Sequence, residues 1–234
     1  MSLFAEHADT AEADGEWISV ADLMAALMVV FLFIAIVYMK PLAEEQARVR
    51  EIAVAWQASE SAIHEALVAE FEADLPRWDA EIEPSTLLIR FRSPDILFKE
   101  GKGELESGFR AILDDFFPRY AATLAEYAED IEEIRIEGHT SSSWGGAPAH
   151  EAYFRNMALS QRRTRSVLEF VLRPGTRAAD SPWLRHRLTA NGLSSSRLRR
   201  DGAGVELEAA SRRVEFRVRT RARTEIVRIL EAVS

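Results

Sequence analysis

The sequence predicts one membrane-spanning helix near the N-terminus, a helical connector, and an α+β domain with helices on one face of a mixed sheet. Three observations carry this. Ile18 to Met39 is 22 residues with a single charge. From Leu42 to about residue 75 no turn signal interrupts a helical pattern. Beyond that, strand-period and helix-period apolar patterns follow in the order strand, helix, strand, helix, strand, strand.

The span comes first. At about 1.5 Å per residue it reaches roughly 33 Å, which matches a hydrocarbon core of about 30 Å. It is too long for a signal-peptide core. Its N-terminal flank carries Glu6, Asp9, Glu12, Asp14 and Glu16 with no Lys or Arg, the reverse of a signal peptide's basic start. The segment therefore reads as a retained anchor. Trp17 and Tyr38 stand at its ends as interfacial aromatics, and Lys40 and Pro41 close it. Residues 1–17 read as a short disordered tail.

The connector occupies residues 40–80. Leu42, Val49, Trp56 and Ile63 recur every seven residues, with Ile52 and Ala66 on the neighbouring seam. Two readings fit: a parallel coiled coil between two copies of the chain, or an amphipathic helix packed on its own domain.

The domain is expected over residues 81–234. Leu87, Ile89 and Phe91 give a first strand. A loop at Ser93 to Phe98 leads to a helix from about Glu104 to Ala128. The second strand has Ile134 and Ile136 inward, with Glu133, Arg135 and Glu137 outward. A Gly- and Ser-rich loop covers Gly138 to Ala149, and a helix runs from about Tyr153 to Leu172. A third strand lies near Arg187 to Asn191. The last has Val214, Phe216 and Val218 inward, with Arg213, Glu215, Arg217 and Arg219 outward. If the second and last strands were neighbours, these outward acids and arginines would pair. A short helix with Ile226, Ile229 and Leu230 ends the pattern.

Composition narrows the function. The net charge of -9 argues against a general nucleic-acid binder, although arginine dominates from Arg155 onward. The absence of cysteine excludes disulfides, thiolate metal sites and cysteine nucleophiles. The five histidines are scattered, and neither His-Glu-x-x-His nor Gly-x-Ser-x-Gly occurs. Gly101-Lys102-Gly103 reads as a turn, and Ser141 to Ser143 as a loop. No enzyme, metal or cofactor is expected.

Asp22 is the residue that asks for a function. A carboxylate at mid-membrane costs about 2.5–3.5 kcal/mol on insertion scales, and less at this shallower depth. Asp22, Ala25, Ala26, Val29 and Phe33 form one helical stripe, whose small residues let another helix approach closely. A carboxylate so placed can bind and release a proton.

The run Trp17-Ile18-Ser19-Val20-Ala21-Asp22-Leu23-Met24-Ala25-Ala26-Leu27-Met28 resembles the membrane segment of MotB-type stator subunits. In that pattern the Asp carries ions, which here implies Asp22. The family often has Thr at the position of Ala25. Gly138-His139-Thr140, Asn156 to Arg163 and Arg212-Arg213-Val214-Glu215 are similar to the motifs of OmpA-like peptidoglycan-binding domains. The resemblance implies a peptidoglycan site at Thr140, Ser141, Asn156, Leu159 and Arg163. Where the family normally has an Asp that grips diaminopimelate, this chain has Ser141. Asn156, Ser160 and Arg163 share a helix face, and Arg163 can hold a carboxylate by a bidentate fork.

Among MotB-like proteins, the opening motif together with Gly-His-Thr-Ser-Ser and Asn-Met-Ala-Leu-Ser-Gln resembles the subunits of Zorya anti-phage defence systems. That implies a MotA-like membrane subunit forming a ring around a homodimer of this chain, and cytoplasmic defence effectors; the protonatable Asp22 makes a proton the expected ion. A flagellar-type stator subunit and a plain wall tether are the alternatives. The resemblance also implies a single-pass inner-membrane protein with its N-terminus cytoplasmic and its domain periplasmic. Lys40, Arg48 and Arg50 follow the span, so the positive-inside rule favours the opposite orientation. The expectation follows the motifs.

Overall fold

The computed structural model describes residues 6–83, 86–92, 97–99 and 101–221, with the side chains within 6–19, 41–48, 51–53 and 55–56 set aside. The C-terminal helix expected around Ile226 lies outside them. The chain divides into two compact units, Met1–Ile52 and Ala53–Ser234.

Helix α1 is Glu6–Phe71. It corrects one expectation: residues 6–17 are helical rather than disordered. The helix runs unbroken through Pro41, where the apolar span ends. Within it, Val20–Lys40 is long and apolar enough to cross a membrane, with a mean hydropathy of 2.8 and none of that window buried inside the protein.

The second unit takes in the last turns of α1. Ile63, Leu67 and Phe71, spaced four apart on one helix face, are fully buried in the domain core. The domain therefore begins near Ala53, not at residue 81. Ile63 packs on its own domain, as the amphipathic reading expected, so it cannot also sit on a coiled-coil seam. Leu42, Ile52 and Trp56 are among the side chains set aside.

The remaining elements are β1 (Ala80–Glu83), β2 (Leu88–Phe91), α2 (Ser107–Ala125), β3 (Ile131–His139), α3 (Ala149–Val171), α4 (Pro182–Arg187), β4 (Leu188–Gly192), α5 (Glu208–Ser211) and β5 (Arg213–Thr220). The sheet order is β1-β2-β5-β3-β4. β3 and β4 run parallel, and the other neighbours are antiparallel. Sequence patterning missed β1, whose Ala-Glu-Ile-Glu is too short and too charged to stand out.

One sheet face is apolar. Ile134, Ile136, Val214, Phe216 and Val218 meet Phe91, Phe109, Phe116 and Tyr120 there. Phe216 is the hub, with ring centroids 5.1 Å from Phe116 and 5.9 Å from both Phe91 and Tyr120. Each fully buried side chain of this size contributes about 1.5–3 kcal/mol.

The other face carries charge. β3 and β5 are neighbours, and their acids and arginines pair. Glu133 meets Arg135 at 2.6 Å and Arg219 at 3.2 Å, and Glu137 meets Arg217 at 3.3 Å. Glu215 meets Arg90 and Arg213, each at 2.7 Å. Glu137 and Glu215 were expected to point into solvent, yet they are 0% and 1% exposed. Five arginines, Arg90, Arg135, Arg197, Arg213 and Arg217, stand within 3.6 Å of them, and long cationic side chains can cover a surface with their stems. Burial would raise the Glu215 carboxyl, but His139, Arg213 and Arg90 outweigh it and hold the group below the usual carboxylate range. Glu137 is lowered against its burial by His139, Arg217 and Arg197.

Candidate functional site

Helix α3 lies directly on the sheet because two glycines permit it. Gly138 of β3 and Gly192 of β4 face each other in register. A Cβ on Gly138 would stand 2.6 Å from Thr164 Cγ2, and one on Gly192 would stand 2.7 Å from Gln161 Cα, inside real contact distances. The turn after β4 is tied to the same helix. Ser194 N–H donates to Ser160 Oγ at 3.0 Å, and Ser194 Oγ donates to the Tyr153 carbonyl at 2.8 Å. Thr140 N–H donates to the Ser194 carbonyl at 3.0 Å, so the loop leaving β3 is fixed from below.

That packing brings four separated segments around one pocket of about 410 Å³. Thr140, Ser141, Asn156, Leu159 and Arg163, all the domain residues singled out from sequence, line it. Phe98, Trp144 and Arg212 line it as well and were not singled out as site residues. Arg212 stands inside one of the family-like motifs, and Trp144 is the lone aromatic of the Gly- and Ser-rich loop. Phe98 gave no comparable signal.

The side chains differ in what they do. Asn156 spends both amide hydrogens on the loop, donating to the Ser141 carbonyl at 3.0 Å and the Ser143 carbonyl at 3.1 Å. It shapes the pocket, with its carbonyl oxygen left over. Arg163 is 8% exposed. Its Nε donates to the Lys102 carbonyl at 3.1 Å, and its guanidinium lies 4.9 Å from the Phe98 ring centre. Among the described residues no carboxylate lies within ion-pairing distance of it. Burial first, then Arg212 and Arg162, pull its pKa down to about 10. A buried guanidinium beside a second one favours any ligand that brings negative charge. The Thr140 hydroxyl is buried in the same wall without a hydrogen-bond partner among the described residues.

A second cluster calls for comparison. Glu137, His139 and Glu215 bring candidate ligand atoms within 4.8 Å of one another. His139 Nε2 is 3.2 Å from Glu215 and 3.8 Å from Glu137, as an electrostatic contact rather than an aligned hydrogen bond. Arg90, Arg135, Arg197, Arg213 and Arg217 pair with one or both of these carboxylates. A cation placed there would compete with five guanidinium groups, so this is an internal ion-pair network.

Asp22 stands in the other unit, exposed on α1 among exposed Val20, Leu23 and Met24.

No protein-family model matches the chain. The chain is 47% identical over 216 residues to the Zorya protein ZorB of Escherichia coli, covering 92% of each. Solved structures are more distant. A MotB-like protein from Desulfovibrio vulgaris is 24% identical with a TM-score of 0.49, covering 74% of this chain and 98% of its own. The cell wall anchor of the type VI secretion system from Pseudomonas aeruginosa is 22% identical with a TM-score of 0.46, covering 66% and 96%. A helix long and apolar enough to cross a membrane, followed by this α+β domain, is the architecture over which the first likeness runs. The chain belongs to the ZorB family of Zorya proteins.

Proposed function

We propose that this chain is the ion-conducting, wall-anchored subunit of a Zorya anti-phage motor. Val20–Lys40 crosses the inner membrane once, with the N-terminus in the cytoplasm and the domain in the periplasm. Two copies pair within a ring of MotA-like subunits, and the complex signals to cytoplasmic defence effectors. Asp22 takes up and releases the ion, a proton, as it passes. The driving force is about 2.3 kcal/mol per charge per 100 mV, comparable to the cost of charging the site. The domain holds peptidoglycan through the pocket of Thr140, Ser141, Asn156, Leu159 and Arg163, so that the subunit stays fixed while the partner moves.

The observation that carries the anchoring half is the buried Arg163 guanidinium, which meets no carboxylate among the described residues, in a pocket that also gathers the other four residues. A wall stem peptide supplies the carboxylate that Arg163 lacks. Sedimentation of the detergent-solubilised full chain with purified peptidoglycan tests it. Wild type should co-sediment, and Arg163→Ala should weaken binding by about tenfold or more, the usual effect of losing a charged hydrogen bond. Wild type that stays in the supernatant would overturn the anchoring.

A further inference from the structure

Among the described residues, the charged side chains lining the pocket are all cations. Arg163 and Arg212 line it, and among the described residues no Asp or Glu does. Glu206 reaches the neighbouring loop, but its carboxylate accepts from Ser142 N–H at 2.9 Å and from the Ser142 hydroxyl, and it does not line the cavity. Arg212 meets Glu208 at 3.5 Å at the exposed edge, a pairing of little strength. The pocket's remaining polar side chains are Thr140, Ser141, Ser143 and Asn156, with the Trp144 indole beside them.

Resting on the wall-binding reading above, we propose that this pocket recognises the carboxylate of a stem peptide and is indifferent to its amine, so that it seats on cross-linked as well as free stems. The chemistry of the two ligand ends differs. A stem diamino acid presents a carboxylate and an ammonium group. Cross-linking converts the ammonium into a neutral amide and leaves the carboxylate in place. A pocket with its own acid would lose an ion pair at that step. Here the amine end meets hydroxyl groups, which both donate and accept, so an amide is as acceptable as an ammonium. The carboxylate end meets two guanidinium groups and depends on its charge. Such an anchor grips the mechanically continuous part of the wall, which suits a subunit that must resist torque.

The test uses the detergent-solubilised full chain and three muropeptides: one free, one acetylated on the side-chain amine, and one amidated on the stem carboxylate. Acetylation should change Kd by less than about threefold, and amidation should weaken it by about tenfold or more. Ser141→Asp, which places an acid in the wall of the pocket, should create a preference of about tenfold for the free amine. Equal losses on acetylation and amidation in the wild-type chain would overturn the proposal. If none of the three binds while glutarate still titrates the pocket and Arg163→Ala abolishes that response, the wall reading fails and the stem assignment falls with it. If glutarate does not bind either, the anion pocket itself is refuted.

Discussion

Gly192→Ala should damage both stability and the pocket, and the reason is local. A methyl group at Gly192 would stand 2.7 Å from Gln161 Cα and closer still to the Gln161 backbone nitrogen. Helix backbone cannot swing aside as a side-chain tip can, so α3 must lift from β4. Overpacking of this kind costs about 1–3 kcal/mol. For a unit the size of Ala53–Ser234 each kcal/mol moves Tm by about 2–4 °C, so a fall of roughly 2–12 °C is expected. The same lift carries Asn156 away from the Ser141 and Ser143 carbonyls and Arg163 away from Phe98, so wall binding should weaken in the protein that stays folded. Gly202→Ala is the control, because nothing lies within 4 Å of the position its added methyl group would take. It should shift stability by no more than about 0.5 kcal/mol. Thermal unfolding of the full chain in detergent, followed by sedimentation with peptidoglycan, reads both effects. A Gly192→Ala chain with unchanged Tm would refute the close packing on which the pocket depends.

The buried ion network and the end of α1 make their own predictions. Glu215→Gln keeps the shape but leaves Arg90 and Arg213 without their shared negative charge, and should cost about 3–5 kcal/mol by urea unfolding. Because Glu137 and Glu215 are both held below their ordinary values, their stabilisation is complete above about pH 4.3 and is lost as pH falls through the folded values. Urea midpoints that stay flat from about pH 7 to about pH 3 would contradict this. Ile63→Ala should cost about 2–5 kcal/mol of domain stability, as a core truncation does, and a loss of dimerisation with no loss of stability would return Ile63 to a coiled-coil seam.

Most of the fold was legible in the sequence because its strands alternate cleanly. Ile134 and Ile136 against Glu133, Arg135 and Glu137, and the same pattern in β5, marked both strands and showed that their charges would match if they were neighbours, which they are. What sequence periodicity could not show was depth. Glu137 and Glu215 occupy the polar phase of their strands, yet the arginines that pair with them also bury them. The end of α1 was ambiguous for a related reason: an apolar stripe at Ile63, Leu67 and Phe71 looks the same whether it packs on a second chain or on its own domain. In the pocket, Thr140, Ser141, Asn156, Leu159 and Arg163 came together, while Arg212 stood in a motif without being marked for the site, Trp144 stood out only as the loop's aromatic, and Phe98 gave no signal. Their roles depend on how loops cross, which local pattern does not encode. The structure also divides the motif residues by role: Asn156 holds the loop, while Arg163 offers the charge.

If Asp22 carries ions, Asp22→Asn should silence the system. Asn keeps the shape and the hydrogen-bonding capacity, and it caps a helix as well as Asp does, but it cannot exchange a proton or balance a cation. The measurement is phage protection by cells carrying the whole system, with the level and assembly of the variant followed in parallel. Abundance and assembly should be normal, with protection lost as completely as in Asp22→Ala. Full protection by Asp22→Asn at normal abundance would contradict it and leave the chain as a tether.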